Sequence, residues 1–311
     1  MKAVDLFAGC GGLSLGLINA GVEIIAAFEN WKPAIDIYKQ NFDHDVYNVD
    51  LSNIVEATAI ISSLSPDLIA GGPPCQDFSS AGKRDENLGR ADLTICFAKI
   101  VTQVAPTWFI MENVERAVKS KAFKEAKNIL SKKYGLTELV LDASFCGVPQ
   151  KRKRLFLIGK AGESDCFLQT TVLKGLSKNE LTVKNYLGNK IDVEFYYRHA
   201  RSYARRGIFS INEPSPTIRG VNRPIPPGYK IHKGDATSDL SIVRPLSTKE
   251  RALIQTFPET FKWGGANKST LEQIIGNAVP VKLGEFIGKN ILCYKGGGMK
   301  QSKLFDSPTF S

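Results

Sequence analysis

Three short runs in this chain carry residue types that could do chemistry together. The first is Gly71-Gly72-Pro73-Pro74-Cys75-Gln76-Asp77-Phe78-Ser79. Each proline fixes its own φ and restricts the residue before it, so the thiol stands on a stiff turn. Stiffness suits a nucleophile that needs a set approach angle. The ordinary fate of a cysteine is a buried, inert thiol, but in this setting the nucleophile is the stronger reading. The second run, Glu112-Asn113-Val114, ends the apolar segment Thr107-Trp108-Phe109-Ile110-Met111. A carboxyl at the edge of a core can have a raised pKa and donate a proton; the alternative is a solvated acid opening a loop. The third, Gln150-Lys151-Arg152-Lys153-Arg154, sets guanidinium groups before another apolar run. Its plainer reading is a charged loop that grips phosphate or nothing.

The elements that must position these runs follow from periodicity. Short apolar runs at 2–7, 23–28, 46–49, 67–70, 107–111, 137–142 and 155–159 read as strands, and 31–40, 53–62, 91–104 and 120–133 have helical periodicity. That alternation predicts an α/β fold, a doubly wound and mainly parallel sheet. Open sheets of this kind bind ligands at the carboxyl ends of their strands, where Cys75 and Glu112 would both emerge. The first strand runs into Ala8-Gly9-Cys10-Gly11-Gly12-Leu13-Ser14-Leu15-Gly16, a glycine-rich turn opening a helix. Ser14 breaks the dinucleotide fingerprint and Leu17 breaks the P-loop pattern. Glu29, ending the second strand, could accept both hydroxyls of an adenosine ribose. Asp50, ending the third, reads equally as a partner for an adenine amino group or as a turn former.

Composition bounds the rest. A chain of 311 residues, 43% of them hydrophobic, can bury a full core in one large domain or a large and a small one. No run approaches the roughly 18 apolar residues of a membrane span, and the first strand leaves no room for a signal peptide. The expectation is a soluble, cytoplasmic protein with no membrane partner. The six cysteines form no C-x-x-C pair or zinc-type spacing, so they read as reduced thiols with no metal. A net charge of +10 suits a polyanionic partner.

Between about 165 and 245 the helical period disappears and Arg, Pro, Gly and Ser dominate, as in an irregular second domain. From Arg198 to Arg223 there are six arginines against one acid, Glu213. Tyr203, Phe209 and the turn Pro214-Ser215-Pro216-Thr217-Ile218 are interleaved with them. Arginine can clamp a guanine edge or merely neutralise phosphate; a solvated basic face would account for about half of them. A helix is expected over 248–257, capped by Ser247, and another over 281–293 returning to the sheet. The tail from Lys295 reads as loose.

Six motifs in order resemble the bacterial DNA cytosine-5 methyltransferase family over nearly the whole chain: Phe7-Ala8-Gly9-x-Gly11-Gly12, Pro73-Pro74-Cys75-Gln76, Glu112-Asn113-Val114, Gln150-x-Arg152-x-Arg154, Arg244-Pro245-Leu246-Ser247 and Gly276-Asn277-Ala278-Val279-Pro280. The resemblance implies a Rossmann-like catalytic domain that uses S-adenosyl-L-methionine and leaves S-adenosyl-L-homocysteine. Cys75 would attack carbon 6 of a cytosine, Glu112 would hold ring N3, and Arg154 with Arg152 would steady O2. Phe7, Gly9, Gly11, Gly12, Glu29, Asn30, Asp50, Pro74, Asn277 and Val279 would form the cofactor site. An aromatic often follows the family's ribose-binding acid, but here Asn30 intervenes before Trp31. The cytosine would be flipped out of double-stranded DNA. Gln76, Ser79, Lys83 and Arg84, on a loop closing over the base, would contact that DNA, as would Arg198, Arg201, Arg205, Arg206, Thr217, Arg219 and Arg223.

The organisation expected is a catalytic domain at 1–165, a smaller irregular target-recognition domain at 166–270, and a segment at 271–311 returning to the first. The molecule would act as a monomer, in a restriction-modification system whose endonuclease forms no stable complex with it. Rival readings are an RNA cytosine-5 methyltransferase, a silent DNA-binding module, and a nicotinamide-dependent dehydrogenase. The intact Cys75, Glu112 and Arg154 argue against silence, and the broken glycine fingerprint argues against the dehydrogenase.

Overall fold

A computed structural model describes residues 1–74, 92–200 and 205–295. Strands β1 (Lys2–Leu6), β2 (Glu23–Glu29), β3 (Asp45–Asn48), β4 (Leu68–Gly71), β5 (Trp108–Val114) and β6 (Tyr134–Asp142) fall where period and β-branched content place them. Two more follow in the chain, β7 (Gln150–Lys151) and β8 (Lys153–Ala161). Seven of these form one sheet, in the order β3-β2-β1-β4-β5-β8-β6. Neighbours from β3 to β5 are parallel, and β8 runs antiparallel to both β5 and β6. The order reverses at β1, so the carboxyl ends of β1 and β4 flank the crevice where such sheets bind ligands.

Both faces of the sheet are covered, which is why its strands read as continuous apolar runs. Along β1, Val4 and Leu6 enter one layer with Ile61, Phe97 and Phe123. These come from α3 (Ile54–Leu64), α4 (Leu93–Val104) and α5 (Lys121–Leu130). Ala3 enters the other layer with Leu13, Leu17, Leu283 and Ile287, from α1 (Gly12–Ala20) and the returning α10 (Val281–Lys295). The remaining helix of this half, α2 (Lys32–Tyr38), follows β2.

The region expected to be irregular holds two short helices, α6 (Gln169–Gly175) and α7 (Val183–Leu187), and a small sheet of β9 (Phe195–Tyr197), β10 (Ile208–Ser210) and β12 (Val243–Pro245). A two-residue strand, β11 (Ser215–Pro216), leaves it to pair with β7. Val183, Leu187, Tyr196, Phe209 and Ile218 of this region share a core with Cys10 and Ile37, while Tyr197, Ile208 and Val243 form a separate cluster. Helix α8 (Thr248–Ile254) starts at Ser247 in a full capping box with Glu250, as the sequence leads one to expect.

Two elements depart from the sequence reading. Helix α9 (Lys268–Asn277), capped by Asn267, was not expected, because the buried Glu272 interrupts its apolar face with a charge. Strand β5 continues through Glu112 to Val114, so Glu112 lies inside a strand rather than opening a loop. Among the described residues no helix is long and apolar enough to cross a membrane.

Candidate active site

A cavity of about 490 Å³ opens at the carboxyl ends of β1, β4 and β5. Pairing of β5 with β8 builds its inner wall. Glu112 stands opposite Phe156 and Val114 opposite Arg154, which makes Glu112 and Arg154 diagonal neighbours on one face. The Arg154 Nε donates to Glu112 Oε1 at 2.8 Å, with both side chains almost wholly buried. Burial pushes the Glu112 carboxyl above its usual range, and the Arg154 and Arg152 guanidiniums pull it back down. The site therefore holds a buried acid with a raised pKa, beside a cation that opposes the rise.

Glu112 also touches the turn that leads to Cys75. A side chain at Gly72 would meet Glu112 Oε2 at 3.2 Å, and Asn113 Nδ2 donates to the Pro73 carbonyl at 3.1 Å. The end of β5 thus fixes Gly72-Pro73-Pro74 on the same wall as the acid. Cys75 itself lies outside the described residues, as do Gln76, Ser79, Lys83, Arg84 and Arg201.

Arg152 is placed differently from the reading that set it beside Arg154 at a bound base. It is 2% exposed. Its Nη1 donates to the Ile218 carbonyl at 3.0 Å, and its Nη2 to those of Gly276 and Ala278, both at 3.1 Å. Although it reaches the cavity wall, its fork is spent on three backbone carbonyls of the protein. The spacing Gln150-x-Arg152-x-Arg154 could not reveal this, since the sequence shows a guanidinium but not its partners.

The same cavity meets the requirements of an adenosine-type cofactor. Phe7, Gly9, Glu29, Asn30, Asp50, Pro74, Asn277 and Val279 line it, and so does Trp31, so an aromatic ring is present although Asn30 intervenes. Phe7 takes a left-handed φ of 57°, a strained conformation for a non-glycine residue that costs on the order of 1–3 kcal/mol. Glu29 is oriented by three backbone N–H groups, those of Gly9, Asn30 and Trp31. Asp50 accepts from the Ser52 N–H, which with the Ser52 hydroxyl holds its carboxyl below the usual range. It is therefore both a turn former and a carboxylate on the cavity wall.

Gly11 and Gly12 do not line the cavity. A side chain at Gly11 would strike Phe42 at 2.3 Å, and one at Gly12 would strike the Val279 carbonyl at 2.2 Å. On the side where a Cβ would stand, these glycines admit neighbouring chain.

The sequence reading passed over Asp5. It is 1% exposed and on the cavity wall. The Ser14 hydroxyl donates to its Oδ2 at 2.6 Å, while its Oδ1 has no partner among the described residues. Burial pushes its carboxyl up to about 7. The available signal was an acid in the middle of the apolar strand Ala3-Val4-Asp5-Leu6. An orphaned buried oxygen facing a cavity is satisfied by a ligand that brings a donor, so the residues present fit a cofactor bearing amino and hydroxyl groups.

The described arginines from Arg198 to Arg223 divide in two. Arg198 donates to the Thr217 carbonyl, Arg206 pairs with Glu213 over the Phe209 ring, and Arg219 donates to the His199 carbonyl. Thr217 gives its hydroxyl to the Lys151 carbonyl at 2.8 Å. These contacts shape the segment internally, whereas Arg205 and Arg223 are exposed.

Comparison with known proteins points one way. A model of the C-5 cytosine-specific DNA methylase family matches residues 1–293. The type II methyltransferase M.HindV of Haemophilus influenzae is 59% identical over 297 residues, 95% of this chain and 97% of that protein. M.HgiDI of Herpetosiphon aurantiacus is 57% identical over 295 residues, 94% of this chain and 95% of its own. Among solved structures, S. pombe Dnmt2 superposes with a TM-score of 0.69 at 17% identity, covering 95% of this chain and 98% of that one. A putative DNA modification methyltransferase from an E. coli prophage gives 0.68 at 23%, covering 95% and 99%. At those identities the two structures establish the fold.

Proposed function

The chain belongs to the C-5 cytosine-specific DNA methylase family, and from that premise we propose that it is a site-specific DNA (cytosine-5-)-methyltransferase with Cys75 as nucleophile. The reading rests on the buried Glu112–Arg154 pair, held by β5 on the wall that carries the turn into Cys75.

Carbon 5 of cytosine is a weak nucleophile. Addition of the Cys75 thiolate to carbon 6 would turn carbon 5 into an enamine carbon. Glu112 would protonate and hold ring N3, and Arg154 would take up negative charge spreading towards O2. Arg152 would position the surrounding segments instead of touching the base. S-adenosyl-L-methionine, when bound, supplies an electrophilic methyl group on a sulfonium sulfur. Glu29 would hold its ribose, Asp50 and Trp31 its adenine, and Asp5 a donor of its amino-acid end. Loss of the carbon 5 proton to a base and elimination of the thiol would then restore Cys75.

Duplex DNA would enter with its cytosine flipped out. Arg205 and Arg223 would meet phosphate or base edges, on a target-recognition region spanning about 166–270. Gln76, Ser79, Lys83, Arg84 and Arg201 keep the DNA contacts assigned from sequence. Resemblance to two named type II methyltransferases supports a modification role in a restriction-modification system, and our reading has the protein act there as a monomer in the cytoplasm.

Covalent trapping tests this reading. The protein and its Cys75→Ser variant are incubated with S-adenosyl-L-methionine and a diverse duplex pool in which 5-fluorocytosine replaces cytosine. Fluorine cannot leave as the proton does, so wild type should give a denaturation-resistant complex and Cys75→Ser none. Absence of a complex on DNA would overturn the mechanism, and a complex formed only on the equivalent RNA would favour the RNA reading.

A further inference from the structure

Arg152 ties together two segments that, on the proposed function, serve different ligands. One is 217–222, beside the exposed Arg223; the other is 275–279, which contributes Asn277 and Val279 to the cofactor cavity. The Arg152 fork donates to Ile218 on the first and to Gly276 and Ala278 on the second. A second bridge runs in parallel. The Ile218 N–H donates to Gln150 Oε1 at 2.9 Å, Gln150 Nε2 donates to Gln255 Oε1 at 2.7 Å, and Gln255 Nε2 donates to the Ile275 and Ala278 carbonyls. Arg152, Gln150 and Gln255 are all fully buried.

The packing leaves little slack between the two segments. A side chain at Gly276 would meet the Arg219 carbonyl carbon and the Gly220 nitrogen, each at 2.3 Å. Arg251 adds a further tie, donating to the Arg219 carbonyl while paired with the buried Glu272.

A buried donor that loses its acceptor where no water can replace it is costly. Displacing 217–220 alone would strand the Arg152 Nη1 and the Gln150 Oε1, and displacing 275–278 alone would strand Arg152 Nη2 and Gln255 Nε2. A shift of either segment alone would therefore break buried hydrogen bonds, so a displacement of one is carried to the other.

We infer that Arg152 and Gln255 are positioning residues that couple target recognition to cofactor binding: duplex held at 217–223 orders 275–279, and cofactor held there orders the recognition segment. Ordering one segment means the second ligand loses less freedom on binding, and the effect is reciprocal.

The inference rests on the functional reading above and is tested by calorimetric titration. S-adenosyl-L-homocysteine is titrated into the full-length protein with and without the duplex recovered by trapping. Wild type should bind it about 5- to 150-fold tighter in the presence of the duplex, the usual range for coupled sites. Arg152→Lys keeps a charge near Glu112 but loses the fork, and Gln255→Met keeps the volume but loses the amide. In both, the tightening should collapse towards unity, a ratio that a loss of stability alone does not move. Wild type without tightening, or either folded variant with the full wild-type ratio, would overturn the coupling. A wild type that binds neither S-adenosyl-L-homocysteine nor duplex would instead overturn the functional reading. Should Arg152→Lys fail to fold, Gln255→Met decides.

Discussion

Asp5 shows how much a single residue can set. Its carboxyl rises from the ordinary 3.8 to about 7, chiefly through burial, against the Ser14 hydroxyl that favours the anion. Between those values the native state binds a proton that the unfolded chain has released. Stability therefore falls as pH rises through that window. At about 1.4 kcal/mol per pKa unit the loss is at most about 4 kcal/mol. Asp5→Asn keeps an acceptor for Ser14 and cannot ionise, so denaturant melts at pH 4 and pH 8 should differ less than those of wild type. Equal pH dependence in the two proteins would show that Asp5 keeps its ordinary value. Glu112 differs in having Arg154 at 2.8 Å to stabilise its anion, while Asp5 has only a hydroxyl.

At the scale of elements, the strands and most helices were legible because both faces of the sheet are buried and its period is undisturbed. The turn Gly72-Pro73-Pro74 and the acid Glu112 were legible because each stands towards the end of an apolar strand. Other features lay beyond sequence reading for identifiable reasons. Helix α9 was hidden by Glu272, a charge that faces inward to meet Arg251, Thr248 and Asn222. The task of Arg152 was hidden because its acceptors are backbone carbonyls 66 to 126 residues away. At Gly11 and Gly12 the space a Cβ would take is filled by Phe42 and the Val279 carbonyl, contacts that a glycine pattern alone does not show. Gly12→Ala should therefore act through α1 and the segment before α10. A side chain there meets the Val279 carbonyl at 2.2 Å, and overpacking of this kind costs typically about 1–3 kcal/mol. Because Val279 lines the cavity, the variant should melt earlier and bind S-adenosyl-L-homocysteine more weakly. Unchanged melting and binding would mean that the contact relaxes freely.

Across the whole molecule, the parts assigned to chemistry, cofactor and target all converge on the reversal of strand order at β1. The acid and cation come from β5 and β8, the glycine turn from β1, and the closing segment from between α9 and α10. The recognition segment is sewn to that closing segment through Arg152 and Gln255. On the proposed reading the fold would join reader and catalyst through these buried polar contacts and so let the enzyme hold its cofactor best when its target is present.

The claim on which the rest depends is the identity of the modified atom. DNA of random sequence should be incubated with the protein and isotopically labelled S-adenosyl-L-methionine, digested to nucleosides, and resolved by mass spectrometry. The account expects the label in 5-methyl-2′-deoxycytidine, and its loss with Cys75→Ser. Label in an exocyclic N-methyl nucleoside, or in 5-methylcytidine from RNA with none from DNA, would contradict it.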